Sequence, residues 1–240
     1  MYETISHNKQ VLLEKQVEPL FKATLSGGLA NIFAACLIYL LLKNTSHAES
    51  SLWLSAGLII FSLFRIAVAN HHIYSAKFKL KTYLYTHIIF TLTIGIIWAI
   101  YEFMLHKPDD EALRNFVFLI NFGLITGSIT TLSTYRGAYL AYLLPQAIAI
   151  FSVFIILGDV IYYYMAFAFV IFMSLMITTS FNINRSHKKE IELKLNNRQL
   201  IDDLNNEIDA RERVQSELED NKRKLEKKVQ ERTSDLVEIN

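Results

Sequence analysis

The chain has 240 residues, 52% of them apolar and 12% aromatic, and a formal net charge of +1. That balance excludes a general nucleic-acid binder, which needs a basic surface. The single cysteine, Cys36, excludes an intrachain disulfide and a cysteine-based zinc site. The distribution of charge says more than its amount. More than half of the 24 basic and 23 acidic residues lie after Asn182, while long blocks upstream hold none.

Residues 1–24 are polar with spaced apolar positions: Val11, Leu12, Val17, Leu20 and Phe21. Charges interrupt the segment and the first apolar run comes late, so it is not a signal peptide. It reads as a cytoplasmic amphipathic segment at the membrane interface, ended or bent near Pro19. Six apolar runs follow, over residues 25–42, 51–69, 83–101, 115–133, 138–157 and 160–181. Each is about as long as a helix needs to cross a hydrocarbon core of roughly 30 Å. One such run fits the interior of a large soluble protein; six joined by short loops do not.

The loops orient the spans through the excess of Lys and Arg on the cytoplasmic side. With the N-terminus inside, Lys9, Lys15, Lys22, Lys77, Lys79, Lys81, Arg136, Arg185, Lys188 and Lys189 fall on the inner side. Lys43, Lys107 and Arg114 fall outside, beside Asp109, Asp110, Glu111 and Asp159. Both termini are therefore expected in the cytoplasm. Trp53, Trp98, Tyr101 and Tyr162 to Tyr164 are expected at the outer interface, and Tyr83, Tyr135 and Tyr139 at the inner one. The short outer loops leave no room for an external sensor domain.

Within the spans, Arg65 is the conspicuous charge. A charge in a span is costly and hints at function. Two readings stand: a guanidinium snorkelling to the headgroups, and a buried ion pair or anionic-ligand contact. His87, with His71 and His72, lies toward the cytoplasmic end. No fixed helical spacing makes the three a haem or metal site, and they read as interface histidines; no metal or cofactor is expected. Gly123 and Gly127, beside Ser128, Thr130 and Thr131, form a small face, suited to close helix approach or to a ligand slot. Pro145 removes one backbone hydrogen bond from the fifth span and is expected to kink it. No span has an interior lysine, which excludes a retinal Schiff base, and intramembrane polar groups read as few.

After residue 181 the character flips. Residues 182–240 are charged, with neither Pro nor Gly to stop a helix. A 4-3 walk visits Leu193, Leu200, Leu204, Val214, Leu218 and Leu225, then, after a four-residue stutter, Val229, Leu236 and Ile239. The seam is polar near Glu207 and Arg211, where Ile208 competes for it. The segment reads either as a solvated spacer or as a parallel dimeric coiled coil whose weak middle tolerates two packings.

Two pieces, LKLNNRQLIDDL (193–204) and LEKKVQERTSDLVEIN (225–240), resemble the linker after the membrane region of bacterial hybrid sensor histidine kinases and GGDEF/EAL cyclic-di-GMP proteins. TYRGAYLAYLLPQAIAIF (134–151), with Arg136 and Pro145, is similar to the turn and proline-bearing fifth helix of six-helix input regions in the same families. The resemblance covers roughly residues 115–240; the first three spans rest on hydropathy.

The expected fold is all-α: a six-transmembrane helix bundle whose last span continues into a cytoplasmic parallel dimeric coiled coil. The resemblance implies a membrane input module of a bacterial inner-membrane receptor, cut before its output domain. A histidine kinase is the leading class, with a diguanylate cyclase or phosphodiesterase as the alternative. The expected partners are a second copy of the chain, membrane lipids and a small apolar or amphipathic ligand, with no nucleic acid. The chain itself holds no catalytic set: His187 is followed by Lys188, Lys189 and Glu190, unlike the phosphoacceptor box of a kinase. A passive anchor or dimerisation module and, more remotely, a transporter are the readings of another class.

Overall fold

The computed structural model describes the backbone of residues 2–74, 80–106 and 111–238 and the side chains of 13–71, 80–106 and 111–229. The loop charges Lys77, Lys79, Lys107, Asp109 and Asp110, the side chains of Lys9, His72 and Leu236, and seam position Ile239 fall outside these. Helix makes up 94% of the structure, with no strand among the described residues. The six helices are α1 (Tyr2–Leu42), α2 (Ala48–Tyr74), α3 (Leu80–Met104), α4 (Glu111–Leu132), α5 (Arg136–Leu157) and α6 (Val160–Glu238). All six are long and apolar enough to cross a membrane, which makes the chain a multi-pass membrane protein. Residues 1–191 form one compact unit and residues 192–240 a second.

Three expectations about the spans are corrected. α1 does not end near Pro19 but is helical through it. The reason is packing, because Val17, Leu20 and Phe21 are buried and Phe21 meets His87 of α3 with ring centroids 5.4 Å apart. Arg114, assigned to an outer loop, is inside α4 and buried. It donates to the Leu105 carbonyl at 3.3 Å and to the Tyr162 hydroxyl, and its guanidinium lies 5.3 Å from the Tyr162 ring centre. Trp98, Tyr101, Tyr139 and Tyr162 are not interfacial aromatics but buried ones, Trp98 being joined by hydrogen bond to Asn31.

The closest backbone approaches are not at the glycines singled out in the sequence. Gly123 and Gly127 meet nothing: a Cβ added to either finds no atom within 4 Å. Gly95 of α3 is the true contact point. A Cβ there would stand 2.7 Å from the Tyr142 carbonyl and 3.2 Å from that of Ala141 on α5. Pro145 bears on the second of these oxygens. It lacks the N–H that would bond the carbonyl four residues back, so Ala141 keeps a free oxygen facing α3. A glycine Cα can lie against such an oxygen in a weak C–H···O contact.

The apolar part of α6 joins the bundle through Tyr162, Ala166, Phe169 and Met173, buried at helical spacing. Phe169 and Phe172 interlock with Phe122 of α4, and Phe169 with Phe154 of α5, at centroid distances of 5.4 to 6.1 Å. Such pairs add to area burial through their edge-and-face electrostatics.

Gly95→Ala is therefore expected to lower stability by about 1–3 kcal/mol, because backbone must move to admit the methyl. Gly127→Ala should change it by less than about 0.5 kcal/mol. Thermal unfolding of the two variants in one detergent checks the contrast.

Candidate functional site

Two of the expected site glycines and the expected charge come together. A cavity of about 270 Å³ opens between α1, α2, α4 and α5. Its walls include Gly27 and Asn31 of α1, Arg65 of α2, and Gly123, Gly127 and Thr131 of α4. Small residues at Gly27, Gly123 and Gly127 leave the space between the helices unfilled. Gly27 faces the same space: a Cβ there would stand 3.4 Å from both Arg65 Nη2 and Thr131 Oγ1, at the edge of ordinary van der Waals contact.

The polar groups around the cavity are nearly all satisfied. Asn31 donates through Nδ2 to the Gly27 carbonyl at 2.8 Å. Its Oδ1 accepts from Trp98 Nε1 at 2.8 Å and from the Tyr142 hydroxyl at 3.4 Å. The Ser128 and Thr131 hydroxyls donate to carbonyls one turn back on their own helix. Arg65 is the exception. It is 2% exposed, and its Nε and Nη1 have no hydrogen-bond partner. No carboxylate among the described residues pairs with it.

Of the two readings of Arg65, snorkelling is corrected: the side chain turns into the bundle and lines the cavity. For Gly123 and Gly127, close helix approach is corrected in favour of a slot. The structure does not gather the remaining expected residues here. His87 is buried on α3 and shares its Nε2 with Thr24 Oγ1 at 2.9 Å, so it is not an interface histidine. Thr24 gives its proton to the Leu20 carbonyl, which makes His87 Nε2 the donor and leaves Nδ1 as the bare nitrogen. His71 instead meets the Tyr83 hydroxyl at 2.7 Å. Among the described residues no three His, Cys, Asp or Glu side chains come together as a metal set. Pro145 lies one turn from the cavity-lining Tyr142 and serves the α3–α5 contact.

Arg136 belongs to a different constellation, where α6 leaves the bundle. The turn between α4 and α5 grips α6 at three successive points. Ser133 Oγ donates to Ser180 Oγ at 2.8 Å. Asn184 Nδ2 donates to the Thr134 carbonyl at 2.6 Å. The Arg136 guanidinium stacks over the Phe181 ring at 4.6 Å. Ser133, Thr134, Ser180 and Asn184 are all buried.

Sequence reasoning also missed a buried pair. Glu102 of α3 accepts a hydrogen bond from Asn121 Nδ2 of α4, and both residues are fully buried. With Asn31, Gln146 and Arg114, it corrects the expectation of few intramembrane polar groups. The available signal was a carboxyl three residues from the end of α3 and an amide in the middle of α4.

Fold and site together define an all-helical multi-pass membrane protein with a cationic cavity among four of its helices. No known protein family, curated protein or solved structure matches the chain.

An unpaired buried charge lowers the stability of an empty bundle. Arg65→Met is expected to raise stability by about 1–3 kcal/mol in zwitterionic detergent. Asn31→Leu, which strands the Trp98 N–H, should lower it by about 1–3 kcal/mol. Opposite signs in thermal unfolding followed by circular dichroism are the expected outcome.

Proposed function

We propose that the chain is the membrane input module of a dimeric bacterial receptor, lying in the inner membrane with both termini in the cytoplasm. A stimulus taken up among the helices changes how the bundle holds α6. The coiled coil relays that change to an output domain of the histidine-kinase type, or of the cyclic-di-GMP type as the alternative. The observation that carries this reading is the grip of the α4–α5 turn on Ser180, Phe181 and Asn184. These residues sit where apolar sequence gives way to charged sequence, within a helix assigned without interruption from Val160 to Glu238.

Two further features support it. On α6 the seam side chains Leu193, Leu200, Leu204, Val214, Leu218, Leu225 and Val229 are each between 50% and 68% exposed. Large aliphatic groups at 4-3 spacing on an otherwise charged helix are stabilised by burial against a second helix of the same kind. The resemblance of residues 193–204 and 225–240 to receptor linkers is the other. The mechanism needs a ligand whose affinity differs between two arrangements of the bundle, because equal affinity shifts nothing.

The test is interprotomer crosslinking of the full chain in membranes, with Cys36 replaced by alanine. Single cysteines at Leu200, Leu204 and Leu218 should form disulfides between copies. Cysteines at Asp202, Asp209 and Ser216, on the opposite face, should not. Absence of crosslinks at all six positions removes the dimer. The relay is tested separately by combining Ser180→Ala with Asn184→Leu. A change in relative crosslinking along the coil supports coupling, whereas an unchanged pattern reduces the bundle to a passive anchor.

A further inference from the structure

Taken as a ligand site, the cavity has three properties. First, it is open to the side. Gly123, Gly127 and Thr130 of α4 and Ser26 and Ala30 of α1 are on the exposed surface of the bundle. On helices that cross a membrane, that surface meets acyl chains. Second, it is too large for one bound water: about 270 Å³ against a share of roughly 30 Å³ per molecule in the liquid. Third, its unmet charge is cationic. Asn31 gives one amide donor, and Ser128 and Thr131 their hydroxyl donors, to acceptors inside the protein, whereas Arg65 Nε and Nη1 have no acceptor. A guanidinium 2% exposed, in low dielectric and without a counter-charge, is held at a cost that an anion in the cavity would remove.

We infer that this side-opening cavity takes the anionic head of an acyl-chain amphiphile, with Arg65 as the head's partner and the chain lying in the bilayer. The head is an oxyanion, a carboxylate or a phosphate, because planar guanidinium offers it paired N–H donors. The tail needs no pocket, since the cavity opens on lipid. The acid should bind and its neutral analogue should not, since a neutral head leaves the Arg65 charge unmatched. The inference deepens the receptor reading by naming the class of molecule sensed, but binding can be measured without reference to dimerisation or relay.

The experiment uses the full chain in nanodiscs of zwitterionic phosphatidylcholine. The probe is a long-chain fatty acid with a photoreactive diazirine in its tail, compared with the fatty alcohol of equal length. The acid should label peptides of α1 and α4, and the alcohol should label them about tenfold less. Arg65→Gln should cut labelling by the acid about tenfold or more, the loss of a charge-assisted pair. Arg65→Lys, which keeps the charge, should retain part of it. Gly127→Leu fills the cavity without touching Arg65 and should also abolish labelling. Leu175→Ala, on the exposed side of α6, a helix that does not line the cavity, should leave it unchanged. If Arg65→Gln does not fold, Gly127→Leu and the acid–alcohol comparison decide.

A diazirine-bearing phosphatidylglycerol separates the two sources of the head. If it labels the cavity in an Arg65-dependent way and excess fatty acid does not displace it, the occupant is a phospholipid. If the acid displaces it, the occupant is a free carboxylate. Both outcomes support an anionic amphiphile. Equal labelling by acid and alcohol overturns the inference, and so does labelling indifferent to Arg65→Gln and Gly127→Leu. Labelling that survives in a chain whose coil never crosslinks would retire the receptor reading and leave this one standing.

Discussion

Hydrocarbon offers no hydrogen bonds, and that constraint decides where the helices of this bundle touch. Each polar side chain turned inward must be met by another helix. Asn31 on α1 is met by Trp98 on α3 and Tyr142 on α5. Tyr101 on α3 is met by Ser55 and the Ser51 carbonyl on α2. Glu102 is met by Asn121, and Arg114 by Tyr162. These bonds link helices distant in sequence and give the apolar packing between them a single register, which interchangeable aliphatic contacts alone do not specify. Against that background Arg65 stands out by its charge, although the buried Ser62 and Tyr139 hydroxyls also lack partners. Arg65 is turned inward and answered by nothing in the protein, which is why the cavity beside it is the place to look for chemistry.

The spans were legible in the sequence because length and hydropathy are properties of each helix alone. The same holds for the continuation of α6 past residue 181, which follows from the absence of Pro and Gly. What was not legible depends on rotation about the helix axis. Hydropathy cannot tell an interfacial tryptophan from one pointing at Asn31, so Trp98 was assigned to the rim. Nor could it show that His87 faces Thr24 rather than the headgroups. The small face of α4 was seen, but its partner was not. Smallness permits either contact or vacancy, and the choice was made by α1 across the gap. Gly95 went unnoticed because its value depends on the Ala141 and Tyr142 carbonyls, on a helix more than forty residues away.

The grip on α6 shows how local chemistry can join the two characters of one helix. Ser180 and Asn184 are short polar residues at the end of an apolar run, ordinary by composition. Their burial against the α4–α5 turn makes them the last fixed points before the charged segment begins. Phe181, between them, lies under the Arg136 guanidinium, a contact that desolvation at a membrane boundary strengthens.

The opposite end of that same helix is tethered far more tightly. Only Gly158 and Asp159 separate α5 from α6, and Gly158 takes the left-handed conformation, φ 70°, that closes α5 and turns the chain back. A connection so short forbids α6 from sliding along its axis, since any slippage would have to drag α5 with it. What it allows is a swing about the corner. About 22 residues downstream, at roughly 1.5 Å each, a tilt of about 5° carries the helix sideways by roughly 3 Å. The corner at Gly158 is thus one end of a lever arm, and the residues held by the α4–α5 turn sit about 22 residues along it, where a given tilt gives a larger displacement than near the corner.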